Sequence, residues 1–125
     1  MTKILWLGLF VGLFSNLAEA KNPPPTQVMS VFFGSAFVGS FTDQIVRVTN
    51  DGKEDLGVAS AQVAGIDFAA TTNCPAALKP KQHCDIYLRF WPQFQGFEVG
   101  EFLMTFSDGS GLQLELSGTG LPIRD

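Results

Sequence analysis

The chain has 125 residues, 46% of them hydrophobic and 16% charged, which fits one globular domain and excludes a disordered tail. Twelve Asp plus Glu outweigh eight Lys plus Arg for a net charge of -4, so the cationic footprint that grips a phosphate backbone is missing and no nucleic-acid partner is expected. One histidine, two cysteines and no glycine-rich phosphate loop leave too few groups for most metal or catalytic sites, and no cofactor is expected.

Residues 1–20 read as a secretory signal peptide: Lys3, then an unbroken apolar or glycine run over residues 4–14, then a polar stretch ending Ala18-Glu19-Ala20. Eleven residues of helix rise only about 16 Å against a hydrocarbon core of about 30 Å, so this run is too short for a permanent membrane anchor. Cleavage after Ala20 leaves no integral membrane span, and the expected location is exported, either periplasmic or extracellular. Residues 21–27 contain Pro23-Pro24-Pro25, which fixes φ and removes amide donors, and predict an extended proline-rich arm.

The domain proper, residues 28–125, alternates with period two. A first strand is expected over residues 28–33. A second, with Ile45, Val46 and Val48, ends at Asn50-Asp51-Gly52, residue types that tolerate the left-handed backbone of a turn. Residues 56–63 continue as a strand and residues 66–68 form a short apolar piece. The clearest alternation sets Cys84, Ile86, Leu88 and Phe90 on one face against Asp85, Tyr87, Arg89 and Trp91 on the other. Phe102, Met104 and Phe106, then a Ser-Asp-Gly-Ser-Gly loop, then Leu112, Leu114 and Leu116 read as a hairpin. With six or seven strands and no helical stripe, the architecture is an all-β antiparallel sandwich of about seven strands.

Cys74 and Cys84 are the only cysteines. In an oxidising compartment an even count means a structural disulfide, and closing a loop of this length restricts the unfolded chain by about 2.5–3 kcal/mol. The competing reading is a thiol-redox pair helped by His83, but the spacing is far from Cys-X-X-Cys. No catalytic residues are assigned: His83, Asp85 and Ser110 lack the context of a triad. No metal site is assigned either. Asp51, Glu54 and Asp55 lack the alternate-position spacing of a calcium loop, and one histidine cannot build a copper centre. Lys79, Lys81 and His83 form the local basic concentration. Ten of the twelve phenylalanines follow Ala20, more rings than one core face per sheet needs. Tyr87, Trp91, Phe94 and Phe97 are therefore the candidate partner-binding residues, with capping of the core as the alternative role for Phe94 and Phe97.

The order Phe33-Gly34, Val38-Gly39-Ser40, Val46-Arg47-Val48-Thr49-Asn50-Asp51-Gly52, Gly65-Ile66-Asp67-Phe68, Leu78-Lys79-Pro80, Cys84 to Phe90, Pro92, Gly96, Gly100 and Leu116-Ser117-Gly118-Thr119-Gly120 resembles the immunoglobulin-like modules of the abnormal-spindle and hydin type, the ASH or choice-of-anchor D domains. The sequence departs from the usual pattern at Lys81, where a glycine often follows the proline. The resemblance implies an immunoglobulin-like sandwich, no catalytic residues, and a binding or structural role within a larger envelope or surface assembly such as a secretion machine, with protein partners. Apart from the resemblance, Gly96 and Gly100 are expected to permit the turn into the next strand, and Gly118 and Gly120 to let the last strand end. A soluble small-ligand carrier is the alternative function.

Overall fold

The structure, a computed structural model, describes residues 26–123. Residues 1–20, expected to be a signal peptide, and residues 21–25 of the expected proline-rich arm lie outside the described residues.

Eight strands build two sheets: β1 Thr26–Phe37, β2 Thr42–Thr49, β3 Leu56–Ala64, β4 Phe68–Thr72, β5 Ala77–Leu78, β6 His83–Phe90, β7 Gly96–Phe106 and β8 Gly111–Leu121. A five-stranded sheet runs in the order β1-β8-β7-β3-β5, and a three-stranded sheet in the order β2-β6-β4. This is an immunoglobulin-like sandwich with one strand more than expected, the two-residue β5, which pairs only Leu56 and Gly57 of β3. It is also not wholly antiparallel, because β1 and β8 pair in parallel.

Period-two sequence becomes period-two burial. Cys84, Ile86, Leu88 and Phe90 of β6 face Phe102, Met104 and Phe106 of β7 and Leu112, Leu114 and Leu116 of β8 across the sandwich, all buried. Each such side chain removed from water stabilises the fold by about 1.5–3 kcal/mol. Phe33, Phe68 and Phe90 close one end of this core with ring centroids 5.0–5.9 Å apart.

Several elements differ from the sequence reading for identifiable reasons. Strand β1 begins at Thr26, inside the expected arm, because Thr26 and Gln27 already pair with Gly111 and Leu112. It also outruns Phe33: at Gly34, with φ 73°, the register slips between Phe32 and Ser35, so that Val31, Phe33 and Ala36 all reach the core. The apolar piece at residues 66–68 is not a strand, since Gly65 (φ 115°) turns the chain and Phe68 N–H donates to Gly65 C=O at 3.2 Å. Ile66 is left exposed on the turn while β4 runs from Phe68. The Asn50-Asp51-Gly52 turn does not use left-handed backbone. Instead the buried Asn50 side chain organises it, donating from Nδ2 to Glu54 C=O at 2.9 Å and Leu78 C=O at 2.8 Å and accepting Gly52 N–H at 2.9 Å. Gly100, Gly118 and Gly120 are inside strands, so their role is room and not a bend. A Cβ on Gly100 would stand 2.6 Å from Phe68, and one on Gly118 would stand 2.6 Å from Phe90.

Cys74 and Cys84 are joined, with Cα atoms 4.9 Å apart, and no free cysteine remains. The bridge ties the β4–β5 connection to the core face of β6. The thiol-redox alternative thus lacks a thiol in this state.

Candidate functional site

The outer face of the three-stranded sheet is built in rows set by the β2–β6 register, which opposes Asp43 to Arg89, Ile45 to Tyr87 and Arg47 to Asp85. In the outermost ion pair Arg47 Nε donates to Asp85 Oδ1 at 3.0 Å. Next comes the apolar pair of Ile45 and Tyr87, whose hydroxyl accepts from Asn73 Nδ2 at 3.2 Å. Then Arg89 grips Asp43 with both ends of its fork, Nε to Oδ1 at 2.8 Å and Nη2 to Oδ2 at 3.0 Å. The hydrogen bonds to these guanidinium groups hold the Asp43 and Asp85 carboxyls below their ordinary range.

The last row is aromatic. Arg89 lies over the Phe41 ring with Cζ 3.6 Å from its centroid, and Phe41 meets Trp91 edge-on at 6.3 Å. Trp91 Nε1 donates to Gly39 C=O at 3.1 Å, so the indole is oriented although it is 48% exposed, with Phe41 at 50%. A groove of about 390 Å³ runs beside these rows, where Ala69 and Thr71 of β4 leave space next to Ile45, Tyr87 and Arg89.

The turn that follows is clamped by Asp67. Its carbonyl accepts Trp91 N–H at 2.9 Å and its Oδ2 accepts Gln93 N–H at 3.0 Å. Glu98 faces Asp67 from β7. Burial first, then the hydrogen bond and charge of Asp67, push the Glu98 carboxyl up to about 7. As ionised groups, Asp67 Oδ1 and Glu98 Oε2 are buried without a donor. A proton on Glu98 supplies one, carboxyl to carboxylate.

All four sequence candidates are exposed, but they do not form one surface. Tyr87 and Trp91 share the outer face of the three-stranded sheet. Phe94 sits on the clamped turn. Phe97 stands at an outward position of β7 in the five-stranded sheet, 70% exposed. Sequence reasoning missed Phe41, the ring that joins Trp91 to Arg89, because its neighbours are far along the chain. The signal was present in the alternation of β2, which continues backward from Ile45 and Asp43 to Phe41. Among the described residues no group of three or more His, Cys, Asp or Glu gathers to hold a metal, and no helix is long and apolar enough to cross a membrane.

No family model matches the chain, and a search of curated proteins finds no match. Solved structures do resemble it. The ASH/PapD-like domain 7 of human CEP192 superposes with a TM-score of 0.63 at 16% identity, over 89% of this chain and 97% of that one. A protein of unknown function from Porphyromonas gingivalis W83 gives 0.64 at 16% identity over 83% of this chain, and the secreted serine protease VesC from Vibrio cholerae gives 0.58 at 16% identity over 72%. The chain spans 51% of the Porphyromonas gingivalis protein and 21% of VesC. The protein therefore has the immunoglobulin-like fold of ASH and PapD-type domains.

Proposed function

We propose that the protein is an exported, non-catalytic interaction module that binds a protein partner in an envelope or cell-surface assembly through the outer face of its three-stranded sheet. The observation that carries this reading is the Phe41–Arg89–Trp91 cluster, half exposed yet fixed by a bidentate ion pair, a ring contact and an indole hydrogen bond. Trp, Tyr and Arg dominate the energetics of protein interfaces, and side chains already immobilised lose less entropy on binding. Tyr87 and Ile45 extend the surface. The disulfide supports export, since such bonds persist in oxidising compartments.

The test is mild crosslinking in the native cells at native expression, followed by mass spectrometry of what co-purifies with the wild type and with Phe41→Ala/Trp91→Ala. A reproducible set of envelope proteins that is lost in a folded double variant supports the reading. A wild-type protein that purifies alone as a monomer, or a partner set untouched by the variant, overturns it.

A further inference from the structure

The opposite face of the sandwich carries a second surface of different chemistry. Strands β1, β7 and β8 contain three glutamates and no lysine or arginine. Glu98 points inward, and the other two, Glu101 and Glu115, stand directly opposite each other on the outer face. Like charges placed so across a β-ladder destabilise it. No ion pair joins either one to a cation among the described residues: Arg47, Arg89 and Lys79 are engaged by Asp85, Asp43 and Asp55, and Lys53 and Lys81 lie in loops. Two residues further along β8 the chemistry changes. Ser117 is flanked by Phe32 of β1 and Val99 of β7, 73% and 66% exposed. After two more, Phe97 opposes Thr119. The small Ser117 between two larger neighbours makes a groove of about 420 Å³, lined by Ser30, Phe32, Val99, Glu101 and Glu115.

We infer that this groove binds an extended segment of a partner protein with a basic residue at one position and apolar residues at the second and fourth positions after it. The Lys or Arg enters between Glu101 and Glu115, and the apolar side chains cover first Phe32 and Val99, then Phe97. The match is metrical as well as electrostatic. Residues two apart in an extended chain lie about 6.8 Å apart on one face, the same step that separates the Glu115, Ser117 and Thr119 rows of β8. A cation placed between two opposed carboxylates turns an unfavourable pair into a favourable triad, and the exposed rings gain cover from water. The inference rests on the reading of the chain as an interaction module, but it adds a contact on the other sheet.

The test uses the ¹⁵N-labelled protein and the capped synthetic peptide GRTVTVG, with GETVTVG as control, read by amide shifts. Expected are shifts confined to residues 30–32, 97–101 and 113–119, binding at least tenfold weaker for Glu101→Gln/Glu115→Gln and for the control peptide, and weakening with salt. Without peptide, Glu115→Gln is expected to raise the thermal midpoint by about 2 °C, as relief of one exposed like-charge pair would. Absence of binding at this face, equal binding of the control peptide, or no rise in the midpoint overturns the inference. Shifts confined to the Phe41–Trp91 face overturn it too while leaving the proposed function standing, and that function is decided separately by the crosslinking of Phe41→Ala/Trp91→Ala.

Discussion

Gly118 of β8 lies against the ring of Phe90, so closely that a Cβ at position 118 would stand 2.6 Å from two ring carbons. Phe90 is wholly buried and in contact with Phe33 and Phe68, so the ring has nowhere to go. Gly118→Ala is expected to destabilise the protein by about 1–3 kcal/mol through overpacking. Urea unfolding followed by tryptophan fluorescence measures it, and a midpoint equal to wild type would show that the ring yields freely.

Lys81 is the non-glycine residue with positive φ among the described residues, at 69°, and its N–H donates to Asn50 C=O at 2.6 Å. It occupies the position where the ASH-type pattern often has glycine. A left-handed conformation costs an L-residue about 1–2 kcal/mol, and glycine's extra chain entropy returns about half of that difference to the unfolded state. Lys81→Gly should therefore stabilise the fold by about 0.5–1 kcal/mol, while Lys81→Val should destabilise it. Thermal scans of the three proteins side by side decide the matter.

Glu98 sets a pH dependence of definite sign. Its carboxyl is raised from 4.5 to about 7 in the folded protein, so the folded state holds a proton that the unfolded chain has released. The stabilisation is complete below pH 4.5, declines as pH rises and is gone once pH passes about 7. The lowered Asp43 and Asp85 carboxyls act the other way, and only as pH falls toward and below 3.8, outside this window. Denaturation midpoints should thus be higher at about pH 5 than at about pH 8 for wild type, and the difference should shrink in Glu98→Gln. An equal difference in both proteins would place the effect elsewhere.

The disulfide closes a short loop, Cys74 to Cys84 with a sequence separation of 10. The double variant Cys74→Ser/Cys84→Ser should lose about 2.5–3 kcal/mol from unfolded-chain entropy. It should lose more because the second substitution puts a hydroxyl into the core site that Cys84 now fills at 3% exposure. Chemical denaturation of the double variant gives the number. A loss well under about 1 kcal/mol would mean that the unfolded chain already keeps these residues close without the bond.

How far the sequence discloses all this depends on whether the deciding contact is local. The alternation from Cys84 to Trp91 correctly sorts core from surface, because strand geometry alone imposes it. The Cys pair admits one connectivity. What period two cannot reveal is which sheet a strand joins, so Phe97 and Trp91, close together in the chain, read as one surface, whereas Phe97 is in β7 of the five-stranded sheet and Trp91 directly follows β6 of the three-stranded one. Phe41 with Trp91, or Phe32 with Val99 across Ser117, are neighbours only through register. Asn50 misled in another way: its type announced a turn, but its buried side chain makes that turn, not a left-handed backbone.

The parallel pairing of β1 with β8 also governs when the protein can fold. The first described strand finds its sheet neighbour in the last one, so a chain emerging from its N-terminus holds Val28, Val31 and Phe33 unpaired until the final strand has appeared. Contacts so distant in sequence are slow to form, and unpaired apolar strands invite association meanwhile. A chain that ends before Gly111 leaves β1 and β7 without the strand that lies between them. Such a topology makes completion of the five-stranded sheet wait for the last strand, whatever the three-stranded sheet does before it.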